Sequence, residues 1–197
     1  MALRPARKRN GRFVDRAPLS PMSSSSLPDL LADNLDVVFC GLNPSLGAVR
    51  TGHHFESRSN RFWRVLHFAG FTPTLLDAKE DRRLLDYGCG LTTVAPRPTP
   101  AADALTRDDY LAAVPVLEAK VRAWRPRAAA FLGKSGYAAL TGRRRVDWGA
   151  QCEMFGGACA WVLPNPSGRN RSFSLAQLVR VYRSLRETLD GAHGISW

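Results

Sequence analysis

Cysteine, acidic side chains and long apolar runs are all in short supply in this 197-residue chain, and each shortage removes a class of function. The four cysteines, Cys40, Cys89, Cys152 and Cys159, form no C-x-x-C pair, which argues against both a zinc site and a disulfide framework; they read as buried, reduced thiols. No stretch of eighteen or more apolar residues occurs, so no membrane-spanning helix is expected. The start, Met1-Ala2-Leu3-Arg4-Pro5-Ala6-Arg7-Lys8, is positively charged without an apolar segment behind it, so no secretory signal is expected and a cytoplasmic or nucleoid location follows. H-E-x-x-H, the P-loop, G-x-G-x-x-G and a Ser-His-Asp order are missing from the loops, which leaves the standard hydrolase and nucleotide-binding readings with little support.

What the chain has is positive charge. Its 28 Lys and Arg against 17 Asp and Glu give a net charge of +11 and a pI near 10.4 in 21.7 kDa, a field that favours a polyanion as partner. Arg greatly outnumbers Lys, and the guanidinium suits bidentate contacts to phosphate.

Residues 1–27 collect Arg4, Arg7, Lys8, Arg9, Arg12 and Arg16, then Pro18, Pro21 and four serines, and cannot bury much apolar surface. They read as a disordered basic arm, either a weak additional DNA contact or an inert tail. From Leu27 the pattern is globular, and residues 28–197 suffice for one domain. Short apolar runs at 36–40, 90–94, 127–133 and 159–163 predict strands. Helical spacing covers 60–69, 79–86, 107–124, 134–140 and 175–189, with Pro115 expected to kink or break the third of these. A basic loop with Arg143, Arg144 and Arg145 precedes a weak strand pair. Strands alternating with helices predict an α/β fold, a three-layer sandwich whose mostly parallel central sheet is flanked by helices on both faces.

Two proline-bearing turns then stand out. Gly41-Leu42-Asn43-Pro44-Ser45 follows the first strand and Pro164-Asn165-Pro166-Ser167-Gly168 follows the last, so both belong to the carboxyl edge of the sheet, where open α/β sheets bind ligands. The runs Val37-Val38-Phe39-Cys40-Gly41-Leu42-Asn43-Pro44, Ser59-Asn60-Arg61-Phe62-Trp63, Leu84-Leu85-Asp86-Tyr87 and Leu163-Pro164-Asn165-Pro166-Ser167-Gly168 resemble, in order, the mismatch-specific uracil/thymine-DNA glycosylases. The resemblance extends over roughly residues 30–190. It implies the uracil-DNA glycosylase fold, a flipped base held at the sheet edge, hydrolysis of the N-glycosidic bond without metal or cofactor, and double-stranded DNA with a mismatched or damaged pyrimidine as partner of a monomeric enzyme. A catalytically inactive module that recognises flipped or damaged bases is the alternative.

Carried over by position, the resemblance implies that Asn43 holds the attacking water with its side-chain amide. It also implies that Phe55 stacks on the extruded base, that backbone N–H groups near Leu42 and Phe55 meet the uracil carbonyls, and that the small Ala48 lies near C5 of the pyrimidine and leaves room for thymine. The residues themselves leave Asn43 open as a turn former and Phe55 as a core ring. His53 and His54, an adjacent pair in a basic loop, are expected to be solvated. Asn165, Ser167, Gly168, Arg169, Asn170 and Arg171 match the loop that enters the duplex. Arg169 stands where an apolar wedge is familiar in relatives, and an Arg there can stack or bond the orphaned base, while Arg171 suits a phosphate. Thr93 stands where some relatives carry a charge facing the catalytic residue, and a hydroxyl can only hydrogen-bond.

Overall fold

The computed structural model describes residues 26–100 and 104–191, so most of the predicted basic arm lies outside the described residues. Its sheet is built from β1 (Val37–Gly41), β2 (Cys89–Thr93), β3 (Ala128–Leu132), β4 (Gly149–Phe155) and β5 (Ala158–Leu163) in the spatial order β2-β1-β3-β5-β4. Strands β2, β1, β3 and β5 are mutually parallel and β4 joins β5 antiparallel. The helices are α1 (Leu46–Thr51), α2 (Phe62–Ala69), a 3₁₀ helix (Ala78–Tyr87), α3 (Arg107–Trp124), α4 (Lys134–Thr141) and α5 (Leu175–Gly191).

Alternation along the strands makes the three layers. Val37 and Phe39 of β1, Ala128, Ala130 and Leu132 of β3, and Trp161 and Leu163 of β5 enter one core with Phe62, Leu66, Tyr182 and Leu185. Their neighbours Val38, Cys40, Ala129, Phe131, Ala160 and Val162 enter a second core with Leu117, Val121 and Tyr137. A strand covered on both faces reads as an unbroken apolar run, which is why β1, β3 and β5 are legible in the sequence. Phe39 meets the rings of Phe62, Phe71 and Tyr182 with centroids 5.3 to 6.2 Å apart, so the middle of β1 is fixed by aromatic packing.

Capping explains where several helices begin. Thr106 and Asp109 form a capping box at α3, and Asp77 and Glu80 form another at the 3₁₀ helix. Three expectations need correction. Helix α3 is not broken at Pro115, one of the two outcomes expected there, but runs through it as a single element; Pro115 is exposed, so the Leu111 carbonyl that loses its partner there is open to water. Residues 46–51, where no helix was expected, form α1. Cys40 and Cys89 are buried, and burial pushes the Cys40 thiol well up, but Cys152 and Cys159 are exposed because they sit at the outer edge of the sheet, on and beside the half-covered strand β4.

Candidate active site

Because β1, β2, β3 and β5 run the same way, their carboxyl ends meet at one edge, and a cavity of about 620 Å³ opens there. It is lined by both proline-bearing turns, by the loop that follows α1, by Thr93 at the end of β2 and by Thr99 beyond it. The size is within the usual range of small-molecule pockets.

The first turn is held by an extension of the β1–β2 ladder past the strands. Val94 N–H donates to Gly41 O at 2.7 Å, Ala95 N–H to Leu42 O at 2.9 Å, and Thr99 N–H to Pro44 O at 3.2 Å. This brings the 97–99 segment against Asn43. The Asn43 Nδ2 group donates to Pro44 O at 3.2 Å, to Arg97 O at 3.2 Å and to Thr99 Oγ1 at 2.6 Å. Carbonyl oxygens only accept, so the atom facing two of them must be the amide nitrogen, and the side-chain orientation is thereby decided. Among the described residues nothing donates to Oδ1, so the acceptor pole of the amide is left for a ligand. The Arg97 carbonyl is itself steadied: the Arg97 guanidinium bonds Asp109 at 2.6 and 2.8 Å and Ala104 O at 2.8 Å. Arg97, with the Thr106 cap, holds the Asp109 carboxyl well below the usual carboxylate range.

Ser45 caps α1, its Oγ accepting from Ala48 N–H at 2.9 Å, and its hydroxyl donates to the Glu56 carboxylate at 3.0 and 3.2 Å. Glu56 is the one carboxylate among the described lining residues, and it lies so close to Gly47 that a Cβ there would stand 2.1 Å from Oε1. A negative charge over the start of α1 complements the unpaired N–H groups there. Ala48 lines the cavity wall. Leu42 lines the cavity too, and its side chain packs on Gly133 and Gly136, where a Cβ on Gly136 would come within 2.7 Å of it.

Phe55 lines the same cavity with a backbone φ of 53°, unusual for a residue with a side chain. Two contacts hold it. Its ring stacks on Phe62 with centroids 3.9 Å apart and planes 20° from parallel. The preceding His54 is anchored in the interior, contrary to the expected solvated pair: its N–H donates to Asp81 Oδ2 at 3.1 Å, and its Nε2 lies 2.8 Å from Pro28 O. A carbonyl partner requires the proton on Nε2. His53 is partly exposed, with Nδ1 3.4 Å from Asp81 Oδ2.

The second turn hangs on Arg61, which the sequence reading passed over as part of a motif. Its Nε donates to Pro166 O at 3.2 Å, Nη1 to Phe173 O at 2.6 Å, and Nη2 to Ser167 O at 2.9 Å and Asn170 O at 2.8 Å, while its backbone N–H also reaches Pro166 O at 3.0 Å. One planar guanidinium therefore gathers four carbonyls of an otherwise irregular loop. The loop adds its own bonds: Asn165 Oδ1 accepts from Ser167 N–H at 2.9 Å, Asn170 Nδ2 donates to Asn165 O at 2.8 Å, and Tyr182 OH donates to Pro164 O at 3.0 Å. Asn165 and Asn170 thus spend their side chains on loop shape. Gly168 packs on Ser59, whose carbonyl would lie 2.6 Å from a Cβ at that position, and neither Gly168 nor Arg171 lines the cavity. Arg169 does, is exposed, and makes no ion pair among the described residues; Arg171 is equally exposed. Thr93, paired with Gly41, borders the cavity with its hydroxyl as its only polar group.

Replacing Arg61 by Lys keeps the charge but cannot serve four carbonyls from one ammonium. Hydrogen exchange at amides 165–173 should accelerate by about tenfold or more, since each carbonyl left without a partner costs about 1–3 kcal/mol; unchanged exchange would mean the guanidinium does not hold the loop.

Burial pushes the His54 pKa below its ordinary 6.5, so the folded chain keeps this ring neutral. The unfolded chain then binds the extra proton first, and the contribution of His54 to stability is lost as pH falls through 6.5 toward the lowered folded value. Thermal melts between pH 7.5 and 5 should show a steeper acid-side loss for the wild-type chain than for His54→Gln, which retains an N–H for Pro28 O. Parallel curves would contradict this.

The chain is similar to a Methanosarcina acetivorans protein whose solution NMR structure bears a provisional uracil DNA glycosylase name, with a TM-score of 0.51 at 18% identity, covering 83% of this chain and 98% of that one; at this identity the likeness shows the fold. The family model described as the uracil DNA glycosylase superfamily matches residues 28–186, which takes in both turns and the Arg61 clasp, and the chain belongs to that superfamily.

Proposed function

We propose that this chain is a monofunctional glycosylase of double-stranded DNA that removes uracil from mismatches, G·U first among them, and leaves an abasic site. The observation that carries the reading is the pinned amide of Asn43, its Oδ1 pole free, beside the stacked ring of Phe55 in one cavity.

A base taken out of the duplex would lie against Phe55, whose far side is already backed by Phe62. The N-glycosidic bond breaks with its electron pair leaving on N1 of uracil, and the deoxyribose passes through a cationic, oxocarbenium-like state. Oδ1 of Asn43 accepts a hydrogen bond from a water and aims its oxygen at C1′. The amide takes no proton; it supplies position, which is worth much when the group is fixed beforehand, and the proton that the water loses on bonding C1′ passes through solvent to the departing uracil anion. Backbone N–H groups of the first turn and of the Phe55 loop are the donors available to the departing anion. Arg169, exposed at the rim, would occupy the gap left in the stack or bond the orphaned base. The net charge of +11 suits the phosphate backbone.

The test is single-turnover excision from a G·U duplex read by alkaline cleavage. The wild-type chain should cut, and Asn43→Ala should slow excision by about 10²-fold or more. Equal rates would remove Asn43 from this role, and an inactive wild-type chain that still binds the duplex would favour a recognition module.

Ala48 offers only a methyl at the cavity wall. Thymine should therefore be released from G·T, more slowly than uracil from G·U; a chain that cuts G·U and leaves G·T intact would show that another group guards C5.

A further inference from the structure

We infer that the DNA contact extends one strand beyond the cavity, onto a surface of Trp148, Lys134, Arg144 and Arg145 that holds the sugar–phosphate backbone flanking the extruded nucleotide. This rests on the reading of DNA as substrate given above.

Sheet register places these residues. Strand β4 is antiparallel to β5 with Gly149 opposite Val162, so the residue before it, Trp148, falls beside Leu163 at the root of the second turn. Strand β3 ends at the same level, with Leu132 opposite Leu163, and Lys134 follows two residues later. The basic loop carrying Arg143–Arg145 starts beside Glu153, partway along β4, and leads back to this edge at Trp148. In an antiparallel edge strand the residues entering the strand lie where the neighbouring strand exits, and this is why a segment so far from both turns in sequence arrives next to them.

Side-chain contacts tie this surface to the loop that would enter the duplex. The Trp148 indole meets Phe173 edge-on with centroids 5.4 Å apart, and the Phe173 carbonyl is one of the four gathered by Arg61. Lys134 Nζ lies 4.6 Å from the indole centroid. The indole is thus held in place from the loop side and yet remains 38% exposed, a large flat ring fixed beside a cation at the rim of the site. Sugar and base faces pack on such rings, and ammonium or guanidinium groups next to them take the phosphates.

The charges in the segment are not cancelled. Arg143 bonds the Glu153 carboxylate and Asp147 is an exposed negative charge, but Arg144 and Arg145 are exposed and make no ion pair among the described residues. Neither turn accounts for these cations, and the cavity does not include them. A flanking strand passing over β5 toward β4 would meet Arg169 first, then the indole with Lys134, then the Arg144–Arg145 pair.

The experiment measures equilibrium binding of the full chain to a long duplex carrying a central abasic-site analogue, across a range of salt. Arg144→Ser combined with Arg145→Ser should weaken binding and reduce the slope of log affinity against log salt by about 1 to 2, because each phosphate contact contributes about 0.9. Trp148→Ala should weaken binding about tenfold with an unchanged slope, and Trp148→Phe, which keeps a ring against Phe173, should recover most of that loss. Wild-type affinity and slope in the double arginine variant would overturn the surface, even with normal excision of uracil. A wild-type chain that binds without excising would instead overturn the glycosylase reading, and the binding comparison would still stand.

Discussion

Two backbone carbonyls decide which way Asn43 points, and the site is arranged around that decision. Pro44 O and Arg97 O both face Nδ2, so the amide cannot turn over without setting oxygen against oxygen. Arg97 O is where it is because the β1–β2 ladder continues past the strand ends as far as Thr99, and because the Arg97 side chain is tied to Asp109 at the start of α3. The orientation of one side chain therefore depends on the parallel sheet, on a salt bridge and on a helix cap together. An amide is a weak base, and its value at such a position lies in arriving already oriented.

The opposite wall follows a different principle. The second turn has little regular backbone pairing, and a single guanidinium substitutes for it by gathering carbonyls from Pro166 to Phe173. Arg61 also begins α2, whose next residue, Phe62, backs the Phe55 ring. The aromatic platform and the loop opposite it thus share one anchor, so a change at the start of α2 would reach both sides of the cavity. Charge is distributed in the same spirit: Glu56 stays at the start of α1 beside Ser45, while Arg169, which makes no ion pair among the described residues, stands exposed at the rim of the cavity.

Much of this was legible in the sequence, for physical reasons. Strands β1, β3 and β5 are covered on both faces and so read as apolar runs; parallel strands put both turns at one edge; and the ordered motifs pointed to the superfamily that the family model matches. What stayed hidden were interactions without a local signature. Arg61 meets acceptors 105 to 112 residues away, and no spacing rule announces a guanidinium that binds carbonyls instead of a carboxylate. Helix α1 has only six residues including a glycine, and its one cue was Ser45 as a cap. His54 looked like a surface residue because its partners, Pro28 and Asp81, lie 26 and 27 positions away. Two cysteines read as buried are exposed, since composition does not say which strand forms the sheet edge.

The central claim is that the Asn43 amide works by being pinned through its nitrogen, and Asn43→Asp tests it most directly. An ionised carboxylate is a better proton acceptor than an amide, yet it has no N–H for Pro44 O and Arg97 O and is repelled by both. Single-turnover excision of uracil at neutral pH by Asn43→Asp should be slower than wild type by about tenfold or more, as for the loss of an oriented catalytic hydrogen bond. A rate equal to or above wild type would contradict the account, because position would then matter less than proton affinity.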